Sequence, residues 1–505
     1  MERVTFRFNS DSGAEYLYDD VTGNIFPWGS MEEAILKREL AVPLDDSEEN
    51  LLRSAHGDEI TAKTQYCRQW RSQYQAFARP STSGLPVPTP DQIKPAVWAG
   101  CKELILIVTE NCNLKCGYCC YASGTYKYHR KPTNRTMSYE QAIKAVDWFM
   151  DNVSAQLARN PRKKYGLSFY GGEPLLNIKL IKEVLEYAEK QYPDVFFVVL
   201  TTNGTLLTPE NVEILKKHSV SVAISIDGPE DEHDRLRVDL LEQGTYKRII
   251  ENLSYIKRKH PEYWNNYLMS LSVYDPQSDV EKISQFFDDN KDVVPRCAFV
   301  NMVSTNNSEY YNRFKKEDFD LLRKRMIFLR QKYKQLVTSG KEPGSYLNII
   351  TGTSLVLMLM RGRVADARDT FVRYTGCCIP GSRMTVNVNG EINMCERVNG
   401  TFPIGHLDQG GLNYVRIAQL VQEYQEKILY KCERCPITRL CFMCFSSAEA
   451  NGGIMEPRGF CESTKNRIHT NLADYVSIME SNPDVELAFK KKSLELLRDR
   501  ILIES

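Results

Sequence analysis

The sequence predicts an α/β protein: an open, partial barrel of about six βα units, with a small strand-and-helix domain before it and a cysteine-rich domain after it. Between about Lys102 and Asn301, β-branched apolar runs alternate with helix-period segments, the pattern of parallel strands joined by crossover helices. The distinctive loops, Cys112 to Cys119, Gly171-Gly172-Glu173-Pro174, Thr201 to Gly204 and Ser225 to Pro229, follow these runs directly, where such a barrel keeps its functional loops. A chain of 505 residues also exceeds what one core holds, so two or three domains are expected.

In chain order, residues 1–95 form the first expected domain. Val4 to Phe8, Glu15 to Tyr18 and Asn24 to Trp28 read as short strands, and Gly23 suits the hairpin turn before the third. Ser30-Met-Glu-Glu supplies an N-cap and an acidic first turn for a helix to about Leu40, and a second amphipathic segment runs from about Asp58 to Arg79. Pro80, Pro86, Pro88, Pro90 and Pro95 mark a stiff linker and a boundary. A structural cap on the barrel is one role this domain could have.

The barrel is expected over 96–304. Its strands are Glu103 to Thr109, Tyr165 to Tyr170, Val195 to Thr201, Val220 to Ile226, Tyr267 to Tyr274 and Arg296 to Val303, with helices at Met137 to Val153, Lys179 to Gln191, Pro209 to His218, Gly244 to Lys259 and Ser278 to Asn290. Residues 305–373 read as a helical bridge, with helix-period runs at Asp318 to Leu336 and Leu347 to Arg361. Residues 374–465 hold the second cysteine field. There Val386 to Cys395 reads as a hairpin turning at Asn389-Gly390, followed by Cys432-x-x-Cys435-x5-Cys441-x-x-Cys444 and then Cys461. The tail, 466–505, is helical and charged.

Composition excludes several function classes. A formal net charge of zero offers no basic field for nucleic acid. No N-terminal apolar segment suits secretion, and the most apolar stretch, Leu347 to Met360, is too short for a membrane span and is interrupted by Thr351, Gly352 and Thr353. A soluble, cytoplasmic protein without membrane partners is expected. The 15 cysteines, crowded at CxxC spacings, read as metal ligands in a reducing compartment. Cys112, Cys116 and Cys119 can hold three irons of a cubane iron-sulfur cluster, leaving the fourth iron open to a small molecule. For the double CxxC run, zinc is the simpler alternative. Cys67, Cys101 and Cys120 read as structural.

Cys112-Asn-Leu-Lys-Cys116-Gly-Tyr118-Cys119 after a first strand, with Gly171-Gly172-Glu173-Pro174 after a second, resembles the radical S-adenosylmethionine (SAM) enzymes. The resemblance implies that SAM chelates the open iron of a [4Fe-4S] cluster and is cleaved by one electron to a 5'-deoxyadenosyl radical that abstracts hydrogen. It further implies cofactor-binding roles for Tyr118 of the cysteine motif, for Gly171, Gly172 and Glu173 at the SAM amino group, for Asn203, Ser225 and Asp227 along its ribose and methionyl parts, and for Arg237 at its carboxylate.

The second cysteine field resembles the SPASM domain of radical SAM maturases, which holds two auxiliary four-iron clusters, for three [4Fe-4S] clusters in all. Carried over, Cys432, Cys435, Cys441 and Cys461 hold the outer cluster, and Cys378, Cys395 and Cys444 the inner one. The chain departs from that family twice. Two residues, not three, separate Cys441 from Cys444, and the usual upstream ligand is missing, with only adjacent Cys377 or distant Cys297 to replace it. The inner cluster is therefore expected to keep an open iron for a substrate Cys thiolate.

The N-terminal strands and helices resemble the winged-helix-like peptide-recognition domains of peptide maturases. The expected architecture is thus a partial (β/α)6 radical SAM barrel between a peptide-recognition domain and a SPASM iron-sulfur domain. The expected activity is thioether formation, from Cys sulfur to a carbon, in a ribosomally made precursor peptide bearing a leader, with flavodoxin or ferredoxin as a low-potential electron donor. Alternatives are a carbon-carbon crosslink such as Lys to Trp, formylglycine formation in sulfatases with Glu396 in place of the family's Asp base, and a non-catalytic zinc-ribbon adaptor.

Overall fold

A computed structural model of the chain describes residues 5–77, 87–119, 121, 124, 126, 133–304, 308–353, 355, 358, 382–397, 403–432, 435–450, 452–457 and 459–485. β1 (Thr5–Asn9), β2 (Glu15–Asp19) and β3 (Asn24–Pro27) form an antiparallel sheet in sequence order. α1 (Ser30–Glu39), α2 (Asp46–Ser54) and α3 (Gly57–Tyr74) follow, and Leu17, Phe26, Ile35, Leu36 and Cys67 share a core of their own. The helix α2 was not anticipated. None of its residues is fully buried, only Leu52 packs against that core, and its N-terminus is marked by the capping box formed by Asp45 and Glu48.

The expected proline linker is shorter than its prolines suggest. Pro90–Gly100 is a helix, capped by Thr89 with Pro90 in its first turn and Pro95 inside it. An internal proline costs about 3 kcal/mol, but burying Ile93, Val97 and Trp98 returns about 1.5–3 kcal/mol each. Pro80 and Pro86 lie outside the described residues.

A ten-stranded sheet carries the rest. β4 (Glu103–Thr109), β5 (Tyr165–Gly171), β6 (Phe196–Thr202), β7 (Ser221–Ser225), β8 (Leu268–Tyr274) and β9 (Cys297–Met302) are parallel and adjacent in sequence order, as the alternating pattern required. Helices Tyr139–Arg159, Ile178–Gln191, Pro209–Lys217, Tyr246–Lys259 and Val280–Asp289 lie between them in the chain.

The hairpin of the second cysteine field is not a separate sheet. β10 (Arg383–Val386) pairs parallel with β4, placing Arg383 opposite Glu103, and β11 (Glu391–Asn393), β12 (Gly405–His406) and β13 (Gly411–Leu412) continue antiparallel. The β10–β11 turn needs Gly390, whose φ is +86°.

Strand alternation sorts the two faces of this sheet. Leu104, Leu106, Val108, Leu167, Phe169, Met384, Val386 and Ile392 enter the main core under the helices. The intervening Glu103, Ile105, Ile107, Ser168, Tyr170, Thr385 and Asn393 therefore face the barrel interior. A further core joins the domains: Phe8 and Tyr18 meet Leu329 and Tyr333 of helix Lys316–Thr338 and Ile468, Leu472 and Tyr475 of helix Phe460–Ser481. Of the expected run from Leu347 to Arg361, the described part continues helically through Gly352; the tail beyond 485 lies outside the described residues. No helix among the described residues is long and apolar enough to cross a membrane.

Candidate active site at the cysteine loop

The cysteine loop leaves the C-terminal end of β4 and is latched to the segment that contains Arg237. Lys115 and Gly117 donate their backbone N–H groups to the carbonyls of Val238 and Leu236, each at 2.8 Å, and Leu114 bridges Asp239. The loop also shields its sulfurs with amides: Leu114 N–H points at Cys112 Sγ and Tyr121 N–H at Cys119 Sγ, both at 3.4 Å. Burial pushes the Cys112 thiol up to about 12, and Glu173 with the thiols of Cys116 and Cys119 adds to the rise. Three part-buried sulfurs that repel one another as thiolates suit a cationic iron cluster, which deprotonates its ligands on binding. Among the described residues no three His, Cys, Asp or Glu side chains are grouped to hold a metal ion. A cube of irons spreads its ligand sulfurs wider than one tetrahedral ion does.

The two glycines after β5 are demanded by the chain's own backbone. A Cβ on Gly171 would lie 2.2 Å from the Thr109 carbonyl oxygen, and one on Gly172 2.1 Å from that of Asn111. The Gly172 and Glu173 amides donate to those same two carbonyls at 2.9 Å. Glu173 is 1 % exposed and its carboxylate is already occupied. It accepts from Leu175 N–H at 3.1 Å, Thr202 hydroxyl at 2.7 Å and Asn203 N–H at 2.8 Å. Burial raises its pKa against these bonds. About one lone-pair site is left for a ligand ammonium.

Asn203 continues the brace. Its Nδ2 donates to Asn113 Oδ1 at 2.9 Å while its Oδ1 accepts from Thr205, so the end of β6 orients the cysteine loop. Ser225 closes β7, part-buried, one residue before the Ile226 amide that donates to Leu271.

Asp227, Tyr118 and Arg237 converge beside Cys116. The Tyr118 hydroxyl donates to Asp227 Oδ2 at 2.7 Å and accepts from Arg237 Nη1, while Arg237 stands 3.7 Å from Asp227. Asp227 Oδ1 is fixed by Val273 N–H at 2.8 Å. Burial raises the Asp227 carboxyl and the Arg237 cation opposes it. Arg237 is 7 % exposed, and its Nε has no partner among the described residues. Neighbouring Arg235, by contrast, is spent on a bidentate pair with Asp275 at 2.9 Å. The site thus offers one buried, unspent guanidinium donor beside the cysteine loop, a fit for a carboxylate ligand.

The second field is divided. Burial pushes the Cys432 thiol to about 12, with Cys435, Cys441 and Cys461 contributing, so these four side chains form one electrostatic group. Met443 N–H points at Cys441 Sγ at 3.5 Å. Cys444 Sγ lies 2.8 Å from Ser446 Oγ, and Cys395 is buried after β11. Cys378 and Cys377 lie outside the described residues, as does Cys120. Cys297 opens β9, and its sulfur sits in the main core near the Phe299 carbonyl at 3.6 Å.

Glu396 lies beside Arg383, at 3.7 Å, and Arg383 Nε meets Glu103 Oε2 at 3.0 Å. Glu103 opens β4 and the cysteine loop follows its end, so Glu396 lies between the two, its carboxylate turned toward Arg383. Tyr121 spans the gap, donating its hydroxyl to the Glu396 carbonyl at 2.6 Å.

Several residues escaped the sequence reading. His233 holds the Asp227 loop: its Nδ1 accepts from Asp227 N–H at 3.3 Å, so Nε2 carries the proton toward Thr245, 3.1 Å away. Thr385 and Asn393 are paired across β10 and β11, both 0 % exposed, and Thr385 Oγ1 and both Asn393 amide atoms lack partners among the described residues. The first could be suspected from its place ahead of Arg237. The second pair needs the strand register and had no signal.

Residues 106–286 match the model of the Radical SAM superfamily. Over 331 residues the chain is 24% identical to the radical SAM cyclopropyl synthase TigE of Paramaledivibacter caminithermalis, an alignment covering 63% of this chain and 62% of that protein. The chain thus spans less than two thirds of that relative. The cysteine-type anaerobic sulfatase-maturating enzyme of Clostridium novyi is 21% identical over 392 residues, covering 73% of this chain and 95% of that one. Among solved structures, native anSMEcpe with bound AdoMet and Kp18Cys peptide shares the fold, with a TM-score of 0.54 and 19% identity over 77% of this chain and 99% of that chain. Residues 106–286 thus form a radical SAM domain, and the chain is a relative of the cyclopropyl synthase and of the anaerobic sulfatase-maturating enzymes.

Proposed function

We propose that the chain modifies a ribosomally made precursor peptide, joining a Cys sulfur to a backbone or side-chain carbon as a thioether. The observation that carries the peptide substrate is the N-terminal domain: β3 is an edge strand of its sheet and lies along a cavity of ≈ 430 Å³ lined by Phe26, Trp28, Tyr66, Trp70 and Phe77. A leader in extended form would gain main-chain hydrogen bonds at β3 and seat alternate side chains among the aromatics.

When bound, a [4Fe-4S] cluster and SAM supply one-electron cleavage and hydrogen-atom abstraction, which acid-base side chains cannot. Cys112, Cys116 and Cys119 would hold that cluster, and Arg237, oriented by Tyr118 and Asp227, would pair with the SAM carboxylate. Glu173 and Asn203 keep the loops around the cysteine segment in register. Cys432, Cys435, Cys441 and Cys461 would hold one auxiliary cluster. Cys395, Cys444 and Cys378 would hold another that is one thiolate short, where a substrate Cys sulfur fits as a soft ligand. Flavodoxin or ferredoxin suits the electron supply.

A second reading, oxidation of Cys or Ser to formylglycine, is favoured by Glu396: its Oε2 is buried without a partner among the described residues, as a waiting base would be. Anaerobic incubation with SAM, reductant and the Cys-containing peptide encoded beside the gene, followed by mass spectrometry, separates the two. Loss of two hydrogens per crosslink, with the sulfur retained but its thiol no longer open to alkylation, supports the thioether. Loss of the sulfur, or loss of two hydrogens at a Ser that becomes a hydrazine-reactive aldehyde, supports formylglycine, and an unchanged mass rejects both for that peptide.

A further inference from the structure

Asp20 belongs to the N-terminal domain by sequence and to the second cysteine field by contact. It sits in the turn between β2 and β3, 2 % exposed. Its Oδ1 accepts from Arg439 backbone N–H at 2.8 Å and from Tyr18 hydroxyl at 3.2 Å, and its Oδ2 accepts from Thr438 hydroxyl. The Arg439 guanidinium returns to the same turn, donating to the carbonyls of Asp20 and Val21, both at 2.6 Å. Thr438 and Arg439 stand in the short turn between Cys435 and Cys441.

Neighbouring Asp19 faces the other way. It is 0 % exposed and accepts from Thr22 N–H at 3.0 Å and from Phe77 N–H at 3.0 Å, and Phe77 lines the aromatic groove. One turn therefore fastens the groove wall with one carboxylate and the cysteine segment with the next.

A buried carboxylate is expensive and persists only where its oxygens are occupied or its charge is used. Here its oxygens are held by Thr438, three residues from both Cys435 and Cys441, and by the Arg439 N–H, so the carboxylate is fixed against the cysteine segment itself.

We propose that Asp20 is a positioning residue of the centre at Cys432, Cys435, Cys441 and Cys461, clamping the Cys435–Cys441 segment to the N-terminal domain and placing a fixed negative charge that lowers the centre's reduction potential. A nearby anion favours the more oxidised cluster. The inference rests on the reading that these four cysteines hold an iron-sulfur cluster.

The test uses the full chain, reconstituted anaerobically with iron and sulfide, as wild type, Asp20→Asn and Asp20→Glu. Iron is counted, and each cluster is titrated by electron paramagnetic resonance. Asn keeps the shape and an acceptor for Arg439 N–H while removing the charge. The expected result is an unchanged iron count in Asp20→Asn, one signal moved to higher potential with the others in place, and return of that signal in Asp20→Glu. No shift in Asp20→Asn, or an equal shift of every signal, overturns the proposal. Should Asp20→Asn fail to load, Asp20→Glu must load and titrate as wild type, and its failure to do so equally overturns it. Wild type carrying iron for a single cluster overturns the reading beneath it, and the proposal with it, which the count reveals before any potential is measured.

Discussion

Arg237 holds the one guanidinium donor at the cysteine loop that has no partner among the described residues, and it is held there by Tyr118 and Asp227. A hydrogen bond between charged groups contributes about 1.5–3 kcal/mol, or about 10–100-fold in affinity. Arg237→Ala is expected to weaken SAM binding by that factor in equilibrium dialysis, with the iron content unchanged. Arg235→Ala would instead lower the melting temperature, because its bidentate partner Asp275 is buried. The two arginines are two residues apart and look alike in sequence; only the fold tells which one is spent.

His233 sets a pH dependence. Burial, with the Arg237 charge beside it, holds its pKa well below the ordinary 6.5. The unfolded chain therefore binds a proton that the folded chain refuses. Its contribution to stability is fully present above about 6.5 and is lost progressively as pH falls below that value. His233→Gln is expected to flatten the acid limb of the melting-temperature profile between about pH 6.5 and 5. Gly172→Ala, by forcing a Cβ against the Asn111 carbonyl, is expected to cost at least about 2 kcal/mol in a denaturant titration. The sequence placed Gly171 and Gly172 at a strand end but could not say that the close approach is to the cysteine loop itself.

At the scale of elements, the strands were legible to within a residue or two because β4 to β9 are apolar runs set between amphipathic helices. What was not legible is partnership. That β10 joins β4 depends on parallel register between residues 280 positions apart, and no periodicity encodes it. The same register creates the unpartnered row of Thr385 and Asn393 inside the barrel, where an amide with one donor side and one acceptor side matches a peptide group. Asn393→Leu is expected to raise stability by about 1 kcal/mol, since an unsatisfied buried amide is replaced by an apolar side chain of similar size. Turnover of the peptide is expected to fall in the same variant. A melting curve and a mass-spectrometric rate on one preparation check both.

For the molecule as a whole, the barrel, the second cysteine field and the N-terminal domain interlock. The core of Phe8, Tyr18, Leu329, Tyr333 and Leu472 draws on the first sheet, the bridge helix and the last described helix together. The run Cys432, Cys435, Cys441 and Cys444 stood out by its spacing, while setting Cys461 with the first three came from the resemblance to the SPASM domain. The docking of the β2–β3 turn against that run was not legible, since Asp20 is one acidic residue among many until its oxygens are located. In the proposed function these parts serve one event at Cys112, Cys116 and Cys119. The measurement that tests it most directly is formation of 5'-deoxyadenosine by anaerobically reconstituted, iron-replete protein given SAM and a strong reductant. The proposed chemistry requires 5'-deoxyadenosine to accumulate, and to vanish when Cys112, Cys116 and Cys119 are all replaced by Ala. Fully loaded wild type that leaves SAM intact would contradict it.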